Sequence, residues 1–160
     1  MAEGTPPEEE TPKERADREL IELLNELRVV LPGVTVLLAF LLAVPFANGW
    51  TRVTSFQRDV FVVAFLSTAV AVAVLTAPSS YHRLRFRHGD KERIVRIGNR
   101  LSIAGIAASA VSLEAVVLLV IDSVVSRGAA IGAAAGLFGV VALLWYGLPL
   151  WGALRDRSAR

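Results

Sequence analysis

No cysteine occurs in the chain, so disulfides, thiolate metal sites and thiol nucleophiles are excluded from the start. Histidine is nearly as scarce. His82 and His88 are the only two, with no cysteine or acidic cluster beside them. That is too little for a metal site, and no metal or cofactor is expected. No nucleophile–base pair and no phosphate-cradling glycine loop stands out, so an enzyme is not expected. Lysine is rare as well, with two against fifteen arginines. Alongside abundant alanine and valine, that bias is what a GC-rich bacterial genome produces.

Charge is missing from four long stretches, and this absence decides the class. Residues 29–46, 60–77 and 129–154 hold no charged side chain, and residues 101–121 hold one, Glu114. Each stretch approaches the ~20 residues needed to cross a ~30 Å hydrocarbon core as a helix. The 54% hydrophobic content fits four spans within 160 residues and leaves no room for a second folded domain. The expectation is an all-α integral membrane protein, a bundle of four transmembrane helices forming one domain over residues 18–154. Residues 155–160 form a short tail.

The beginning of the chain, MAEGTPPEEETPKE, is acidic and contains proline, whereas a cleavable signal starts basic and turns apolar. Residues 1–17 read as a disordered acidic tail. Residues 18–31 read as an amphipathic helix. Leu20, Ile21, Leu23, Leu24, Leu27, Val30 and Leu31 gather on one arc, with Arg18, Glu19, Glu22, Asn25 and Glu26 opposite. Pro32 and Gly33 suggest a bend before the first span. Two roles are open for this helix: lying in the membrane interface, or offering a docking surface for a partner or lid.

The loops give an orientation. Lys and Arg number four before the first span, seven in residues 78–100 and three after the last, against two and one in the intervening loops. The positive-inside rule puts the richer segments, and with them both termini, in the cytoplasm of a bacterial plasma membrane. Trp50, Trp145, Tyr146 and Trp151 fall near span ends, where amphipathic rings settle.

Pro78 marks the end of the second span, and Gly89 with Asp90 looks like a turn and N-cap. From there a helix can run through Ile94, Ile97 and Leu101 into the third span. Arg83, Arg85, Arg87, Arg93, Arg96 and Arg100 are candidates for contact with phosphate-bearing lipid headgroups. The plainer alternative is charge that sets topology alone; nucleic acid is not expected as a partner.

Within the membrane, Gly128, Gly132 and Gly136 recur every fourth residue, a spacing that lets helix backbones approach closely. Ser102, Gly105, Ser109 and Ser112 share one face of span three. The short link between spans three and four makes those two helices neighbours, so the tightest packing is expected there. The glycine face could instead serve a homo-oligomer. Glu114 points away from the serine stripe, and its expected partners at similar depth are Ser67 and Thr68. An intramembrane acid that takes up and releases a proton is what a coupled carrier needs. A structural acid bonded between helices is the alternative.

Three stretches, ELLNELRVVLPGVTVLLAFLLAVP (residues 22–45), APSSYHRLRFR (77–87) and KERIVRIGNRLSIAG (91–105), resemble an uncharacterised bacterial membrane family, domain of unknown function 6328. The resemblance implies a four-span protein of about this length. Some of its relatives carry a sodium:proton antiporter label, and it brings no site residue with it. Two functions therefore stand side by side. One is a non-enzymatic membrane protein, structural or regulatory, that meets a cytoplasmic protein or membrane lipids through its cytoplasmic surface. The other is a proton- or sodium-coupled carrier using Glu114.

Overall fold

The computed structural model describes residues 11–85 and 91–148, together with Trp151 and Arg155. Four helices follow one another: α1 (Pro12–Ala43), α2 (Ser55–Arg85), α3 (Lys91–Val124) and α4 (Arg127–Ala142). Two 3-10 turns, Val44–Phe46 and Trp50–Arg52, link α1 to α2, and a π-helical turn, Leu143–Gly147, continues α4. All four helices have the length and apolarity to cross a membrane. The all-α, four-span class read from the apolar runs is the class observed.

Helix starts are set by local side-chain chemistry. Thr11 caps α1: its Oγ1 accepts from the Glu14 N–H at 3.3 Å, while Glu14 Oε2 accepts from the Thr11 N–H at 2.9 Å. Pro12 in the first turn needs no N–H partner. Residues 12–17, expected within a disordered tail, are therefore helical, because this reciprocal cap satisfies donors that would otherwise favour fraying. Residues 1–10 lie outside the described residues. Thr54 and Gln57 repeat the device before α2, at 3.2 and 3.0 Å. The turn before it depends on Gly49, whose φ of 109° suits glycine and few other residues.

Neither Pro32 nor Pro78 ends its helix. α1 passes through Pro32 and Gly33, and α2 passes through Pro78 to Arg85. Packing explains both. Leu27 and Val34, on either side of Pro32, are buried in one cluster with Ala71 and Leu75 of α2, so α1 stays packed on α2 through this segment. Pro78 is fully buried where α2 meets α3. Proline is tolerated inside membrane helices when neighbours hold the helix in this way. The N-terminal amphipathic segment is thus continuous with the first span. Part of its apolar arc is turned onto the protein itself: Leu20, Leu23 and Leu27 are buried, while Ile21 is 59% exposed.

α2 and α3 form the most intimate pair, and α1 packs against both. Near the end where α3 turns into α4, Leu41, Val60, Phe61, Ala64, Ala115 and Leu119 make one core. Toward the opposite, arginine-rich end lie the second core and, beyond it, Leu20, Leu23 and Ile94. Among the described residues, α4 packs along α3. The arrangement is a three-helix bundle with a fourth helix laid on the outside of α3, rather than a closed square of four.

Length adds a further feature. Helices of 32, 31 and 34 residues run about 46–51 Å at 1.5 Å per residue, some 15–20 Å more than a ~30 Å hydrocarbon core. The excess lies at the arginine-rich end, where the starts of α1 and α3 and the end of α2 continue beyond the apolar runs as a packed three-helix head.

Candidate functional site

The middle of the bundle holds a buried polar group. Thr68 of α2 and Ser112 of α3 are both fully buried. Their hydroxyls bond to each other, and both reach the carbonyl oxygen of Ala64, at 2.7 Å from Thr68 Oγ1 and 3.0 Å from Ser112 Oγ. With two protons among three oxygens, one hydroxyl donates to the Ala64 carbonyl while the other donates to its neighbour's oxygen or shares that carbonyl, which ties α2 to α3 at mid-depth.

This pairing corrects two expectations. Thr68 bonds to Ser112, not to Glu114, and no described hydrogen bond joins Ser67 to Glu114 either. The serine stripe of α3 faces α2 rather than α4. A Cβ added at Gly105 would lie 2.6 Å from the side chain of Leu75 and 3.4 Å from its backbone nitrogen. Ser102 and Ser109 return their hydroxyls to the carbonyls of Gly98 and Gly105, at 3.0 and 2.9 Å. Small side chains on α3 serve the α2 contact, because α2 is the helix that comes closest.

The glycine face of α4 is elsewhere. Ala130 is fully buried, and Ala133, Ala134, Leu137 and Val141 are partly covered on the same side, where α3 lies. Gly128, Gly132, Gly136 and Gly139 fall roughly opposite on the helical wheel. A Cβ at any of them would meet nothing within 4 Å. The hairpin does not use this face.

Glu114 sits on the side of α3 turned away from α2, about twelve residues from the turn into α4, which places α4 alongside it near Leu137. Its Oε1 is buried and lacks a hydrogen-bond partner among the described residues.

A cluster that sequence reasoning missed lies at the α3–α4 turn. The Asp122 carboxylate, 5% exposed, accepts from Arg127 Nε at 2.5 Å and from Gln57 Nε2 at 2.9 Å. The Arg127 guanidinium lies over the Phe56 ring, 3.6 Å from its centroid. Gln57 is the same residue that caps α2 through its carbonyl oxygen. One carboxylate therefore joins the start of α2, the end of α3 and the start of α4. The spacing of Asp122 and Arg127 was visible in the sequence, but nothing there brought Gln57 to them.

At the other end, Arg93, Arg96 and Arg100 are exposed on α3. Arg83 and Arg85 lie in the last turns of α2, but their side chains, like Arg87 altogether, lie outside the described residues. Ile94, Gly98 and Ser102 form the buried side of this segment. A Cβ at Gly98 would meet Leu23 of α1 at 2.8 Å and Pro78 of α2 at 3.7 Å. The arginines lie on the opposite side of α3 from these contacts.

No curated protein and no solved structure matches the chain. A family of unknown function, DUF6328, matches residues 9–149, which takes in all four helices. With that extent of agreement, the chain belongs to the DUF6328 family.

Proposed function

We propose that this is a non-enzymatic membrane protein, structural or regulatory, that works through the three-helix head at its arginine-rich end. The observation that carries the reading is the overhang. α1, α2 and α3 outlast the hydrocarbon core at this end by about two turns or more each, and α1 and α3 keep apolar side chains buried there, Leu20, Leu23 and Ile94. A chain that needed only to span a membrane would not extend and pack three helices beyond it. By the distribution of arginines the head is cytoplasmic. Its face on α1 presents Glu19, Glu22 and Glu26, all exposed.

The test is photocrosslinking in living cells from residues placed at Glu22 and Glu26, with Ser126 as the control at the other end. The expected result is a discrete cytoplasmic protein adduct from the head positions only. Adducts to lipid alone, or the same pattern from all three positions, would overturn the reading.

A second reading, a proton- or sodium-coupled carrier, is supported by the buried Glu114 Oε1 that lacks a described partner. It is weakened by the engagement of Thr68 with Ser112, which leaves the acid without the hydroxyl expected beside it. Ion-driven pH changes in proteoliposomes that vanish in Glu114→Gln would favour it. Wild-type vesicles indistinguishable from empty ones across pH and cation type would remove it.

A further inference from the structure

We infer that Arg93, Arg96 and Arg100 form a seat for the headgroup of an anionic phospholipid, with Ile103 and Ala104 below them receiving the start of its acyl chain. This goes beyond the reading of the head and does not depend on which protein the head meets.

The placement carries the argument. At 100° per residue the three arginines fall within about 60° of one another on α3, and Ile103, Ala104 and Ala107 continue the stripe toward the bilayer within about 100°. Ile103 is 55% exposed and Ala104 is exposed. The depth is also right. Counting back about 20 residues from Ile121, where the apolar run ends, puts the hydrocarbon boundary near residue 102. Arg100 then stands at that boundary, with Arg96 about 6 Å and Arg93 about 10 Å farther along the axis, spanning the headgroup layer.

Among the described residues, neighbouring elements leave the stripe open. α1 and α2 pack on the other side of α3, through Gly98, Leu23 and Pro78. α4 covers α3 with Ala130 through Val141, then changes to π geometry over Leu143–Gly147, and Leu144, Leu148 and Trp151 beyond are exposed. A face with three guanidinium groups above and uncovered apolar side chains below matches a phosphodiester headgroup and its chain. A soluble anion would use the arginines and leave Ile103 and Ala104 without a role. Guanidinium suits phosphate, because its fixed fork of donors pairs with two phosphate oxygens.

The test uses the full chain reconstituted in phosphatidylcholine bilayers, with trace spin-labelled phosphatidylglycerol or spin-labelled phosphatidylcholine. The fraction of label held at the protein surface is read by electron paramagnetic resonance. For the wild type, the expected result is roughly a threefold or greater preference for the anionic lipid at moderate salt. Equal retention would mean that the arginines set topology only, and would overturn the proposal without any variant. In Arg93→Gln/Arg96→Gln/Arg100→Gln the preference should fall close to one. A triple variant that keeps more than half of it would place lipid selection elsewhere and sink the proposal. Arg52→Gln/Arg58→Gln, at the other end, should behave as wild type. The three Arg→Lys replacements should keep part of the preference, since charge survives but the fork does not; complete loss on that change would also contradict the assignment.

Discussion

Gly105 and Gly132 are both glycines in the middle of membrane helices, yet the structure gives them opposite roles. Gly105 lies where α3 presses on Leu75, and an added methyl would sit 2.6 Å from that side chain. Gly105→Ala is expected to cost about 1–3 kcal/mol through overpacking. Gly132 has open space around its Cβ position, so Gly132→Ala is expected to be neutral or to stabilise the helix by up to about 1 kcal/mol. Reversible unfolding in mixed micelles measures both, and equal destabilisation would contradict the packing described. Thr68 and Ser112 act as a unit. Thr68→Val and Ser112→Ala should each cost about 0.5–1.5 kcal/mol, with the double variant costing less than the two together. Additive losses would show that the hydroxyls do not share the Ala64 carbonyl.

At the scale of elements, α4 is the least anchored helix: among the described residues it packs along α3 and meets α2 where Arg127 lies over Phe56. The Asp122–Arg127–Gln57 cluster therefore matters more than its surface position suggests, being the described polar link from α4's start to α2 as well as α3. Arg127→Gln should leave the first three helices intact while proteolysis near Ser126 becomes severalfold faster. An unchanged cleavage rate would mean that α4 is held by packing alone. What the sequence made legible here divides along a physical line. Helix existence was readable, because twenty apolar residues in a row admit few alternatives. Continuity through Pro32 and Pro78 was not readable, because the contacts that let a helix continue past a proline come from other helices. The partner of the serine stripe was misassigned to α4 for a related reason. Short connections predict neighbours, but α2 and α3 are joined by a longer link and still pack more closely. Glu114 was identified as the one acid within a span, yet its surroundings were not, since they depend on which face α4 covers.

For the whole molecule, the departure that bears on function is the head. Residues 18–31 are helical as part of α1, but the apolar pattern alone cannot say whether lipid or protein meets its apolar residues. In the structure it is protein: Leu20, Leu23 and Leu27 are buried by the chain itself, and Glu19, Glu22 and Glu26 face outward. A scan with spin labels along these residues, in the reconstituted full chain, tests this most directly. Labels at Leu20, Leu23 and Leu27 should be shielded both from oxygen, which concentrates in lipid, and from a water-soluble nickel complex. Labels at Glu19, Glu22 and Glu26 should respond to nickel. High oxygen accessibility at Leu20, Leu23 and Leu27 would mean that the segment lies in the bilayer surface, and would contradict the three-helix head.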